Sequence, residues 1–286
     1  MDNCYGIVLK NVKNATLKNL SIHHFGVDNI LLDSDFANND TTYPLLNNIV
    51  LLNIKSSFSG RNSISWVGGK NILISNSSFT NAGTGRIATA PAYGMDIEPE
   101  GNPKHVLCSN GYFINTIFKD NAGLGFTTGT SIDNPVDALG YGYSYNHYFK
   151  NCTVVGRYNS AIHNFINRVT FDGCKFYGNV LNYGSSIDET PPCVFKNCYF
   201  SDLYNGEIFK DRKLLNLVLS YKAIISNCVF EKYSSSSTVS YLIEKDPDSY
   251  DCTNENVKPI IENCAFYYFI QPTPTLLFAS ILKKIN

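Results

Sequence analysis

The chain has 286 residues, a formal net charge of −1, a charged fraction of 16%, and 19 Tyr and 18 Phe. Its 23 Lys and Arg are scattered against 24 Asp and Glu, so it lacks the basic stripe with which a protein grips DNA or RNA. No apolar run is long enough to span a bilayer.

The start, MDNCYGIVLKN, carries no charged-then-apolar signal segment and enters a strand phrase almost at once. A related phrase then returns along the chain: LKNLSI at 17–22, LLNIKS at 51–56, LISNSSF at 73–79, FINTIF at 113–118, FKNCTV at 149–154, FDGCKF at 171–176, FKNCYF at 195–200, ISNCVF at 225–230 and IENCAF at 261–266. Its pivots are Asn19, Asn53, Asn76, Asn115, Asn151, Gly173, Asn197, Asn227 and Asn263, spaced by 22 to 39 residues. A unit recurring at such a period marks a solenoid. Apolar and polar positions alternate with period two and β-branched and aromatic residues abound, so the unit is built of strands. The shortest intervals fit one turn of a three-sided parallel coil, and the longer ones add a loop.

Insertions are expected at Asp33 to Pro44, Asn81 to Tyr93, Gly129 to Asn146, the serine run 234–237 and the acidic stretch 244–256. No linker divides the chain, which reads as one domain, 1–286, with its coil at about 6–269. The terminal stretch 270–286, containing TPTLLFASILKKIN, reads as a short amphipathic helix that caps the open sheet edges. No matching cover is visible before Cys4, which suggests an upstream domain or an oligomeric neighbour.

Equivalent residues of adjacent turns lie about 4.8 Å apart and form ladders. The pivot asparagines are expected to point inward at a bend and to bond neighbouring amides and carbonyls. Cys152, Cys174, Cys198, Cys228 and Cys264 follow the pivots, where they are expected to form a buried stack of free thiols. A disulfide framework or metal site is the rival, but there is no CxxC pair and the total of nine is odd.

This pattern resembles the right-handed parallel β-helix of the pectate-lyase-like superfamily, all-β and here of about nine or more turns. That superfamily includes polygalacturonase-type hydrolases, pectate lyases, alginate epimerases and phage tailspikes. The resemblance implies fold far more than reaction, because one scaffold hosts many chemistries. It also implies a polysaccharide or cell-surface glycan as partner, an extracellular or virion-associated location and, by likeness to tailspikes, a homotrimer.

Chemistry is sought on outward strand positions, and Tyr93-Gly94-Met95-Asp96-Ile97-Glu98-Pro99-Glu100 is the strongest candidate. Met95 and Ile97 have core parity, so Asp96 and Glu98 share the outer face with backbones roughly 6–7 Å apart. Acids are depleted from strands. Glycoside cleavage needs an acid for the leaving oxygen and a base or nucleophile opposite it, and mutual repulsion raises the proton affinity of one carboxylate. The plain alternative is a solvated strand face. The phrase resembles Gly-hydrophobe-Asp-Ile-Glu-Pro segments of tailspike-type β-helices, whereas the polygalacturonase pattern of Asn-Thr-Asp, Asp-Asp and Gly-His-Gly is absent.

Aligned from the pivots, the outward slot of Asp96 is expected to hold Asp28, Ser65, Gly125 and His163 in other turns. The loop Asn81 to Tyr93 could overhang the acids, bringing Arg86 to a uronate or sialate carboxylate, or leaving it as a surface charge. The outward row could line a sugar-binding groove, so Asp28, Tyr93 and His163 are candidate substrate contacts, as is Tyr143 within YGYSYNHY, whose tyrosines equally fit one face of a packed strand. His23 and His24 near a turn are weaker candidates, and Trp66 is expected inside. Calcium would suit a lyase or epimerase, but calcium-binding nonapeptide repeats are absent, so no cofactor is expected. Hydrolysis by Asp96 and Glu98 is the leading reading. A polysaccharide lyase or epimerase drawing on Tyr93, Arg86 and His163, and a non-catalytic adhesin or virion fibre, are the alternatives.

Overall fold

The computed structural model describes residues 4–37, 40–99, 107–129, 144–166, 168–183, 192–209, 213–218, 223–234, 243–245 and 259–269. Among them every regular element is a strand. The expected capping helix at 270–286 lies outside the described residues, as do Tyr143 and Glu100.

The chain is a right-handed parallel β-helix. One side is a nine-stranded parallel sheet that runs from Ile7–Lys10 to Ile243–Lys245. The other sides form a 17-stranded sheet folded along the pivots, and the long strands Lys13–His23 and Asn47–Ser57 cross that fold without a break. Each strand pairs with its counterpart in the next turn, so Phe113, Phe149, Phe171 and Phe195 share one register position. Two antiparallel hairpins, Phe36–Pro44 and Leu203–Ile208, interrupt this scheme. Ile243–Lys245, at the start of the expected acidic insertion, is instead a strand paired with Leu215–Leu217.

The interior is aromatic. Phe113, Phe149, Phe171 and Phe195 stack with centroids 4.3, 5.0 and 4.9 Å apart. Phe176, Phe200, Phe230 and Phe266 make a second stack at 5.1, 4.5 and 5.0 Å. Trp66 is buried, as expected, and donates its indole N–H to the Gly68 carbonyl at 3.1 Å.

The pivots bend the chain because all nine residues are left-handed, with φ between 51° and 65°. Asn and Gly tolerate this region best. Their side chains do not point inward as expected: all eight asparagines are exposed. The bend turns them outward, where Asn53 donates to the Asn19 amide oxygen at 2.9 Å and Asn115 donates to Asn76 at 3.1 Å. At Gly173 a Cβ would come within 2.6 Å of the Asn151 amide oxygen.

The thiol stack forms as expected. Cys152, Cys174, Cys198 and Cys228 are free and buried, and each S–H donates to a carbonyl of the preceding turn, on Phe113, Phe149, Phe171 and Phe195, at 3.4 to 3.5 Å. Cys264 continues the series half-buried, with a 3.5 Å bond to Ile225. In the native protein a thiol reagent is expected to label exposed Cys4 at once and Cys152, Cys174, Cys198 and Cys228 only on unfolding. Prompt native labelling of all five would remove the stack.

One ion pair is fully enclosed. Lys232 Nζ lies 2.9 Å from Asp202 Oδ2 and 2.5 Å from Ser234 Oγ, and Asp202 also accepts the amides of Tyr233 at 2.7 Å and Ser234 at 3.0 Å. Neither charged side chain has solvent exposure.

Candidate functional site

The strand Met95–Ile97 lies in the nine-stranded sheet between Ile64–Trp66 and Phe126–Thr128. Met95 and Ile97 are buried in the core, so Asp96 faces outward as its parity requires. Gly94 permits the entry to this strand, since a Cβ there would meet the Gly125 carbonyl at 2.4 Å and the Asn121 amide at 2.5 Å. Glu98 follows with its amide bonded to the Trp66 carbonyl at 3.0 Å and its side chain half-buried.

Outward does not mean solvated, because Asp96 is only 6% exposed. The Asn62 amide donates to its Oδ2 at 3.0 Å. The same Asn62 nitrogen reaches Ser65 Oγ at 3.0 Å, and its oxygen accepts the Tyr93 N–H at 2.8 Å. Behind Asn62 lies Asp28, wholly enclosed, which accepts the Arg61 guanidinium at 2.8 and 2.6 Å, the Asn62 backbone N–H at 2.9 Å and the Ser65 hydroxyl at 2.8 Å.

Burial, reinforced by the charge of Glu98, pushes the Asp96 carboxyl up to about 7, against the opposing influence of the Asn62 bond and Arg61. Burial also raises the Tyr93 phenol above its ordinary value, with Asp96 and then Glu98 adding to the effect. Tyr93, Asp96 and Glu98 therefore interact electrostatically. Below neutrality the buried Asp96 carboxyl holds its proton, and near pH 7 it is half-titrated.

The register corrects part of the expected row. Asp96 aligns with Ser65, Leu31, Thr127 and His163, so Ser65 and His163 hold the expected slot. Asp28 stands three residues before Leu31, and Gly125 lies beside Gly94 rather than Asp96. Loops of unequal length between pivot and strand shift any count made from the pivots. Asp28 is not the substrate contact expected of it, because it is wholly enclosed and its oxygens are taken by Arg61, Asn62 and Ser65; it reaches the site only from behind, through Ser65 and Asn62. His163 lies two turns from Asp96, half-buried, with its proton affinity lowered by burial.

The loop from Asn81 to Tyr93 is pinned to the preceding turn by Gly83 N–H to Ser59 O at 2.9 Å and Thr89 N–H to Gly60 O at 2.8 Å. Arg86 sits on its exposed part. His24 stacks on the exposed Phe58 ring at 5.1 Å, beside His23. In YGYSYNHY the described part packs as strands, and His147 is buried and bonded to Ser144 Oγ at 2.8 Å. Arg61 and Asn62 escaped the sequence reading. Their one signal was a polar run, Arg61 to Ser63, just before the strand Ile64–Trp66. Among the described residues no group of three or more His, Cys, Asp or Glu is placed to hold a metal ion.

No family model matches the sequence, and no curated protein is similar to it. The structure is similar to the A-module of the Azotobacter vinelandii mannuronan C-5 epimerase AlgE4, with a TM-score of 0.48 and 14% identity over 93% of this chain. The chain spans 58% of that module. It also resembles the Streptococcus pneumoniae surface protein and adhesin PfbA, with a TM-score of 0.32 and 10% identity, covering 91% of this chain and 82% of that one.

Proposed function

We propose that the chain binds a polysaccharide along its flank and cleaves it as a glycoside hydrolase, with Asp96 as general acid and Glu98 as base or nucleophile. The observation that carries this reading is a pair of interacting carboxylates in unlike environments, Asp96 in its strand, enclosed and hydrogen-bonded by Asn62, and Glu98 just past the strand's end and more open. Such a split separates the acid from its partner. Asp96 gives its proton to the departing glycosidic oxygen while Glu98 either activates a water or attacks the anomeric carbon. Tyr93 and His163, with Arg86 from the loop, are the proposed sugar contacts, and Tyr143 belongs to the same proposal from outside the described residues. A homotrimer at a cell surface or on a virion is the setting that this activity suits.

Tyr93 beside both acids supports a second reading, a lyase or epimerase in which the phenol exchanges a proton at C5 of a uronate. One assay separates the readings. Reducing-end release from a panel of bacterial capsular and plant polysaccharides is expected from the native chain and is expected to fall roughly 10²- to 10⁴-fold in Glu98→Gln. Release accompanied by the ultraviolet absorbance of an unsaturated uronate would mark a lyase. Binding without cleavage in both proteins would mark an epimerase if the recovered uronate is inverted at C5, and an adhesin if the polymer is unchanged.

A further inference from the structure

The acid is held from behind. Asn62 bonds Asp96, Ser65 and the Tyr93 backbone with its one side chain, and its own amide is fixed by Asp28. Asp28 uses both oxygens on Arg61, in the paired geometry that suits a guanidinium. These residues come from the two turns that precede Asp96, and only Arg61 retains appreciable exposure, at 31% of its side chain. A strand face that needed only a soluble carboxylate would need none of them.

We propose that Asp28, Arg61 and Asn62 form a positioning unit that fixes the orientation of the Asp96 carboxyl and the charge it faces. The role of this unit in turnover rests on the reading of Asp96 as the acid, but its physical content needs no substrate to test. Asp96 faces Tyr93 and Glu98 from its own segment, Arg61 from the preceding turn and Asp28 from the turn before that. Tyr5 acts on Arg61. On the following turn the aligned residue is uncharged Thr127, with His163 one turn beyond it.

The unit makes opposite demands on two substitutions. Arg61→Gln removes a cation and leaves Asp28 as an uncompensated anion, so Asp96 holds its proton to higher pH. Asp28→Asn removes the anion and leaves Arg61 unopposed, so Asp96 releases its proton at lower pH. Each midpoint is expected to move by about one pH unit.

The experiment is an NMR titration of the Asp96 side-chain carboxyl in the full chain, assigned by its disappearance in Asp96→Asn, for the native protein, Arg61→Gln, Arg61→Lys and Asp28→Asn. The expected result is an upward shift, a return to the native midpoint with the retained charge of lysine, and a downward shift. Unchanged midpoints in all three variants, with lowered melting temperatures, would reduce the unit to a structural tie and overturn the proposal. If Arg61→Gln does not fold, Asp28→Asn and the double variant Asp28→Asn/Arg61→Gln carry the test, the double lying above Asp28→Asn and slightly above the native protein, because Arg61 acts on Asp96 more strongly than Asp28 does. A native chain that cleaves no polysaccharide would sink the hydrolase reading and leave these midpoints untouched.

Discussion

Asp96→Asn is expected to abolish turnover and to make the protein more stable above neutral pH. The loss in rate should be roughly 10²- to 10⁴-fold, the contribution of a general acid. The gain in stability follows from proton linkage. Folding raises the Asp96 carboxyl from 3.8 to about 7, so the native state holds a proton that the unfolded chain releases. The stability linked to that proton is fully present below pH 3.8 and is lost as the pH rises through about 7. Asparagine never ionises and can still accept the Asn62 bond. Equal melting temperatures are expected below pH 3.8; the gap opens from there, and above pH 8 the variant should lead by on the order of 3 kcal/mol. Thermal melts across that range check it. A lower melting temperature for the variant in alkali would assign Asp96 a structural role as an anion, and the hydrolase reading would lose its acid.

The other large effect concerns stability alone. Lys232→Met should cost about 3–5 kcal/mol, because it strands the Asp202 carboxylate where no water reaches it. Asp202 keeps two amide donors, from Tyr233 and Ser234. The double variant Lys232→Met/Asp202→Asn, which removes both charges but preserves an acceptor for those amides, should therefore recover most of the loss. Urea unfolding of the single and double variants measures both. Equal losses in the two would show that the lysine acts through its packing and its bond to Ser234 rather than through the charge.

The coil was legible in the sequence because its bend is a conformational demand. A left-handed residue at every turn selects Asn or Gly, as Asn151, Gly173 and Asn197 illustrate. The inward parity of Met95, Ile97 and Trp66 was legible for the same kind of reason, since strand alternation has no freedom once one face is apolar. The direction of the pivot side chains was not, because the same residue type suits an inner or an outer ladder and only the backbone path decides. The partners of Asp96 were hidden too. Asn62 and Asp28 bond across 34 residues of sequence, as do Asn62 and Asp96, and the intervening loops set which corner meets which strand. Arg86, for which the sequence allowed either a place above the acids or a surface charge, sits on the exposed part of its loop.

The outer asparagine ladder and the inner stacks of Phe and Cys repeat the same contacts from turn to turn, so the molecule's length is a quantity separate from its architecture. Excising residues 152–173 would join Asn151 directly to Cys174, giving FKNCKF in place of two phrases. Phe149 would then face Phe195 across the gap that Phe171 now fills, and Cys174 would take the place of Cys152. Each new neighbour is of the same kind as the old. A chain built this way can gain or lose a whole turn in one genetic step, while a change of a few residues within a strand breaks every ladder at once.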